Sequence, residues 1–367
     1  MVYKKEKAIE NIFIINLKVK KEEKALIFID NKRNVLNKIA KKFFRTGKKF
    51  TDNIRYETYL STESHGKEPP EKLWKEAFGE KIFNELNKKK LLKPLIEKKA
   101  TEKEINETEK IVRRFKDDAA DVIIALSHYS TSHTRFRDLL TRICGARYAS
   151  MPLFDEKMLD GPMQIDWDEM TKRTKEVARR VNRCKEIIIT APNGTQITFS
   201  KEGRKAHTDT GIITKSGDFS NLPAGEVYLA PLEGTANGIL VFEWAPTRKL
   251  KNPITLYVEN GRVKRVEGKE KFADYLKAKL AERPDNSNIA EFGMGTNKGA
   301  SKPGNILESE KIFGTIHIAL GDNSSFGGMV RTPFHQDFIF FKPTVILVYK
   351  KGRKILLKNG QLAQEHH

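Results

Sequence analysis

The stretch Glu310–Asp337, EKIFGTIHIALGDNSSFGGMVRTPFHQD, organises the reading of the whole chain. His317 lies in an apolar segment, TIHIAL, that reads as a strand. His335 and Asp337 form an H-x-D pair directly before a second apolar run, FIFF. Residues i and i+2 of a strand share a face, so His335 and Asp337 reach one point in space. A neutral imidazole beside a carboxylate is a donor set for zinc, manganese, iron or cobalt. The alternative is a buried histidine with a hydrogen-bond partner. Two histidines in neighbouring strands, joined by a loop containing Gly327 and Gly328, favour the metal.

Working outward, three more carboxylates join the set. Glu291 sits in an apolar setting, IAEFGMG, where a buried carboxylate costs several kcal/mol unless it is paired or metal-bound. The glycines there let the backbone approach a ligand. They do not form a dinucleotide fingerprint, because the third glycine and the βαβ context are missing. Glu226 opens a short strand, EVYLAP, after Pro-Ala-Gly, and Glu310 lies upstream of His317. Glu226, Glu291, Glu310, His317, His335 and Asp337 offer oxygen and nitrogen donors and no thiolate. Such a set suits two divalent ions ~3.5–4 Å apart (zinc, cobalt or manganese), which implies hydrolysis of a peptide or related bond.

The element pattern predicts a mixed α/β protein of two domains. From the N-terminus, IENIFIINL and ALIFID read as strands, followed by a helix over VLNKIAKKFFRT. A lysine-rich helical stretch from Pro69 to about Lys110 carries a core-facing stripe of Leu73, Phe78, Ile82, Phe83 and Leu86. DVIIALS is a continuous apolar run of the kind found in buried parallel strands, and it leads into a loop, STSHT, and a helix. Asp166 is positioned to cap a helix running to Arg183. Beyond it, β-α alternation gives way to strand-turn-strand, as in the Asn-Gly hairpin signal of TLYVENGRVKRV. The expected division is a Rossmann-like α/β domain over 1–184 and a strand-rich α+β metal-binding domain over 185–367.

Composition limits the partners. A net charge of +20 raises nucleic acid, yet the lysines are spread along the chain and interleaved with glutamates, with no arginine-rich block or zinc-finger spacing. Nucleic acid is therefore disfavoured as the main partner. No apolar stretch approaches the ~20 residues of a membrane-spanning helix, so no membrane partner is expected. The N-terminal run reads as a strand and not as a signal peptide. The two cysteines, Cys144 and Cys184, form no CxxC, and a reducing cytoplasmic setting is the default.

The segments GEVYLAP around Glu226, AEFGMGTN around Glu291, ESEKIFGTIHIALGDN around Glu310 and His317, and HQD at 335–337 together resemble the aminopeptidase T / aminopeptidase S family of metallopeptidases. The resemblance runs from about residue 120 to the end, with further echoes in STSHT, ARYASMP and NGTQITFSKEGR. It implies a metal-dependent aminopeptidase acting on peptides. Its two metals would fall on Glu226, Glu291, His317, His335 and Asp337, with Glu310 as a sixth ligand. Glu291 is the candidate catalytic base or the bridging ligand. The resemblance also implies a homodimer enclosing the active sites. One departure stands out: where the family has a tyrosine after the strand histidine, this chain has Ser324. The rival readings are an amide hydrolase of another class and a non-enzymatic nucleic-acid-binding protein.

Overall fold

The structure, a computed structural model, describes residues 2–364. His366 and His367, set aside from the site on sequence grounds, lie outside that range. The chain forms two compact units, Met1–Gln164 with Gly211–Pro223, and Ile165–Thr210 with Ala224–His367.

The first unit is built on a five-stranded sheet. Its strand order is Ile54–Tyr59, Ala25–Asp30, Val122–Ala125, Arg147–Ser150, Phe219–Asn221, and every pairing is parallel. ALIFID is buried at every position, as a parallel strand covered on both faces must be. Leu26 and Phe28 join a core with Trp74, Phe78 and Phe136 from the flanking helices. Among those helices, Glu102–Arg114 starts at a reciprocal cap: the Thr101 side chain accepts from Glu104 N, and the Glu104 carboxylate accepts from Thr101 N.

One expected strand is a helix. IENIFIINL falls in the helix Val2–Asn11 and the π-helical turn Ile12–Asn16. Ile9, Ile12, Phe13 and Asn16 are buried while Ile14 is 47% exposed, which is the spacing of one helical face and not a strand's alternation.

The expected division at residue 184 also differs from the observed one. The helix Trp167–Arg183 groups with the second unit, and Gly211–Pro223 returns to the first, where it supplies the fifth parallel strand. Asp166 does cap the helix, accepting from Glu169 N at 2.9 Å. Its apolar side, including Val177 and Val181, enters the second unit's core.

That core lies between two antiparallel sheets of eight and five strands. The smaller sheet runs His335–Phe340, Ile316–Gly321, Ile289–Gly295, Glu226–Leu229, His207–Asp209. Phe338 meets Phe242 of the larger sheet at 4.3 Å between ring centroids, and Phe292 meets Phe199 at 5.6 Å. The mixed α/β class expected from the sequence is the observed one.

Candidate metal centre

Strand register explains how distant residues come together. Cross-strand partners in an antiparallel sheet project on the same face. Gly293 is opposite both Tyr228 and His317, Gly295 is opposite Glu226, and Glu226 is opposite Asp209. Asp337 is opposite Ala319, which is itself opposite Glu291, and His335 is opposite Gly321. One face of the five-stranded sheet therefore carries Asp209, Glu226, Tyr228, Glu291, His317, His335 and Asp337. The residues between them on that face are Gly293, Gly295, Ala319 and Gly321. On the other face, Val227, Leu229, Phe292, Met294, Ile316, Ile318, Leu320, Phe338 and Phe340 form the core.

The small residues are a requirement of the site. A Cβ on Gly293 would lie 1.9 Å from Nε2 of His317, so the imidazole lies directly across this glycine. A Cβ on Gly295 would meet the backbone of Lys311 and Ile312 at 2.7 Å and less. The Glu308–Ile312 segment crosses there, held by Lys311 N donating to Glu308 O and Asn297 N donating to Lys311 O.

Within the face, Nε2 of His317 lies 3.4 Å from Glu291 Oε1 and 3.5 Å from Glu226 Oε2. Nε2 of His335 lies 3.4 Å from Glu291 Oε2 and 3.5 Å from Asp337 Oδ2. The Glu291, His317 and Asp337 donor atoms all fall within 4.8 Å of one another. Nδ1 of His335 is 2.8 Å from the carbonyl of Asp322. A carbonyl only accepts, so Nδ1 carries a proton, while Nε2 faces the two carboxylates. His317 is fully buried, while the His335 side chain is 34% exposed and marks the open side.

The electrostatics are those of crowded acids. Burial opposes charge on Glu291, but the hydrogen bonds and charges of His317 and His335 outweigh it and hold this carboxyl well below the usual range. Burial pushes Glu310 up to about 8, aided by Asp337 and Glu226 and opposed by Lys311. Burial lowers His317, and the neighbouring Glu291, Glu226 and Glu310 more than reverse that, raising it to about 9. Oε2 of Glu226 is buried with no hydrogen-bond donor. An undonated carboxylate oxygen facing an imidazole nitrogen is a position that a cation satisfies. The residues present therefore fit a divalent metal.

All six residues singled out in the sequence lie in or beside this cluster. Two neighbours were missed. Lys311 is completely buried, with Nζ 2.6 Å from Glu226 Oε1 and 3.2 Å from Glu310 Oε2. In a chain with 68 lysines and arginines nothing local marks it. Tyr228 was within reach of the i+2 rule, being two residues from Glu226 in EVYL. Its ring stacks on His207 at 5.4 Å and meets Phe326 edge-on at 5.8 Å, and Phe326 in turn meets His335 at 6.1 Å. Burial, then the charges of Asp209, Glu226 and Glu291, push its phenol up. Ser324 donates to Asp322 Oδ1 at 3.0 Å.

An α/β chain with imidazoles and carboxylates gathered on one face of an antiparallel sheet belongs among the metal-site enzymes. More particularly, the chain belongs to the family described as NicX: 2,5-dihydroxypyridine 5,6-dioxygenase, whose model matches residues 84–363. In fold it is similar to the 2,5-dihydroxypyridine dioxygenase from Pseudomonas putida KT2440, with a TM-score of 0.71 and 14% identity over 98% of this chain and 97% of that one. It is also similar to wild-type AmpT from Thermus thermophilus, with a TM-score of 0.58 and 16% identity over 99% of this chain and 100% of that one. At these identities the likenesses show the fold alone. No curated protein matches the sequence.

These findings correct the sequence reading. The resemblance to the aminopeptidase T family holds as a likeness of fold. The family match is to dioxygenases, which overturns aminopeptidase activity and the hydrolase and protease class. The physical reason lies in the motifs. EVYLAP, AEFGMG and HIALG are what this sheet needs to set acids and imidazoles across glycines, and that requirement precedes any choice of reaction. Among the described residues, no helix is long and apolar enough to cross a membrane.

Proposed function

We propose that the chain is a metal-dependent dioxygenase acting on an electron-rich, hydroxylated nitrogen ring of the 2,5-dihydroxypyridine kind. The observation that carries this reading is the donor set Glu291, His317, His335 and Asp337, which lacks a thiolate and stands on one sheet face of a chain in this family. Two imidazoles with carboxylates suit ferrous iron in oxygenases. Such an ion, when bound, supplies the one-electron chemistry through which O2 reacts with a closed-shell ring.

The chain's own residues prepare the substrate. The rings of Tyr228, Phe326 and His207 form an aromatic wall beside the donors, against which a flat ring can lie. The Tyr228 phenol stays protonated and can donate a hydrogen bond to a ring oxygen. The Asp322 carbonyl holds the tautomer of His335, and the core beneath keeps water from the sheet's other face.

The test is oxygen uptake after anaerobic loading with ferrous iron. With 2,5-dihydroxypyridine or a near relative, we expect one O2 consumed per ring lost, and no uptake in His317→Ala. An iron-loaded protein that consumes no oxygen with any hydroxylated pyridine contradicts the proposal.

A further inference from the structure

We propose that Lys311 is a built-in cation that takes the place of a second metal, so that the sheet face holds a single divalent ion. This rests on the metal-centre reading above. The six donors expected from the sequence would serve two ions, but the structure divides them. Nζ of Lys311 sits 2.6 Å from Oε1 of Glu226 and 3.2 Å from Oε2 of Glu310. Those are the carboxylates a second ion would need. Glu291, His317 and Asp337 stay clustered within 4.8 Å, with His335 on Glu291 and Asp337.

The lysine is held where it acts. Its side chain has no exposure. Its backbone amide donates to Glu308 O at 3.0 Å, and its carbonyl accepts from Asn297 N at 2.9 Å. Asn297 and Ile312 form a further bridge. The segment passes so close over Gly295 that any side chain there would collide with it. Gly295 is the cross-strand partner of Glu226, so the crossing delivers Nζ beside that carboxylate. An ammonium fixed in this way has little freedom to leave for an incoming ion.

When ionised, Glu226, Glu291, Glu310 and Asp337 carry four negative charges, and Lys311 already offsets one of them at the Glu226–Glu310 end. A lysine can thus stand in for a metal as a compact point charge that also donates hydrogen bonds.

The test is the metal stoichiometry of the full chain, stripped with chelator and then equilibrated with cobalt(II). We expect one cobalt per wild-type chain, with a magnetically isolated signal. Lys311→Met, which frees Glu226 and Glu310, should take up two, and Lys311→Arg should return to one. Two ions in the wild type, or a magnetically coupled cobalt pair, overturn the inference, as does a folded Lys311→Met that still binds one. If Lys311→Met fails to fold, the wild-type count and its magnetic signature decide. A wild type that binds no ion removes the metal centre itself. Two ions with oxygen uptake intact would sink this inference alone and leave the dioxygenase reading standing.

Discussion

The parallel sheet of the first unit and the five-stranded sheet of the second are both buried, but they are buried in different company. In Ala25–Asp30, Leu26 and Phe28 face one apolar core, and Ile27 and Ile29 face the other side just as completely. In Ile316–Gly321, Ile316, Ile318 and Leu320 face the core while His317, Ala319 and Gly321 face acids. A strand that is apolar on both faces is scaffold, whose energy comes from area removed from water. A strand alternating large apolar residues with a histidine and small residues gives up half that burial to hold charges together. The cost of burying Glu226 and Glu291 beside one another is offset by Lys311 on Glu226 and by His317 and His335 on Glu291. We propose that a metal among these donors adds to them.

The contrast can be broken deliberately. Phe28 is fully buried and packs edge-on against Tyr59, Phe136 and Tyr148. Phe28→Ala should cost about 3–5 kcal/mol in denaturant unfolding while leaving the metal affinity of the folded protein unchanged. A matching loss of metal affinity would show that the two sheets are not separable in this way. His317→Ala acts on the polar face instead: calorimetric titration should show divalent-metal affinity lowered at least ~100-fold, or about 2.7 kcal/mol.

Gly293→Ala tests whether the glycine floor serves the site or the fold. The added methyl would lie 1.9 Å from His317 Nε2, so the ring must shift. We expect metal binding weakened about tenfold, comparable to the loss of a supporting contact around a metal, with the core intact. Unchanged metal affinity would mean that His317 is not a ligand. Tyr228→Phe is the smallest change. It should raise the KM for the hydroxylated ring by about the worth of one hydrogen bond, ~1 kcal/mol, and leave metal content untouched. A variant indistinguishable in steady-state kinetics would remove the phenol from substrate binding.

Much of the site was legible because strand geometry is local. His335 and Asp337 are two residues apart, and the cost of a carboxylate in IAEFGMG follows from its neighbours alone. Whatever depended on tertiary contact was hidden. Lys311 looks like any other lysine until the crossing over Gly295 brings it beside Glu226. IENIFIINL has the composition of a strand, and its helical burial at Ile9, Ile12, Phe13 and Asn16 depends on the core it meets. The helix Trp167–Arg183 gave its cap away through Asp166, but not the unit it would join. The reaction class was least legible of all. Donor residues specify a cation, whereas the chemistry depends on which ion is taken and what lies against it, here the wall of Tyr228, Phe326 and His207.

The central claim is that the polar face of the five-stranded sheet is a metal centre. Anomalous diffraction from crystals of the protein loaded with ferrous iron or cobalt tests it most directly. We expect one strong peak among Glu291, His317, His335 and Asp337, with Lys311 still on Glu226. A peak elsewhere, or none at full metal occupancy of the solution, would contradict the account and leave the histidines and acids as a hydrogen-bonded cluster.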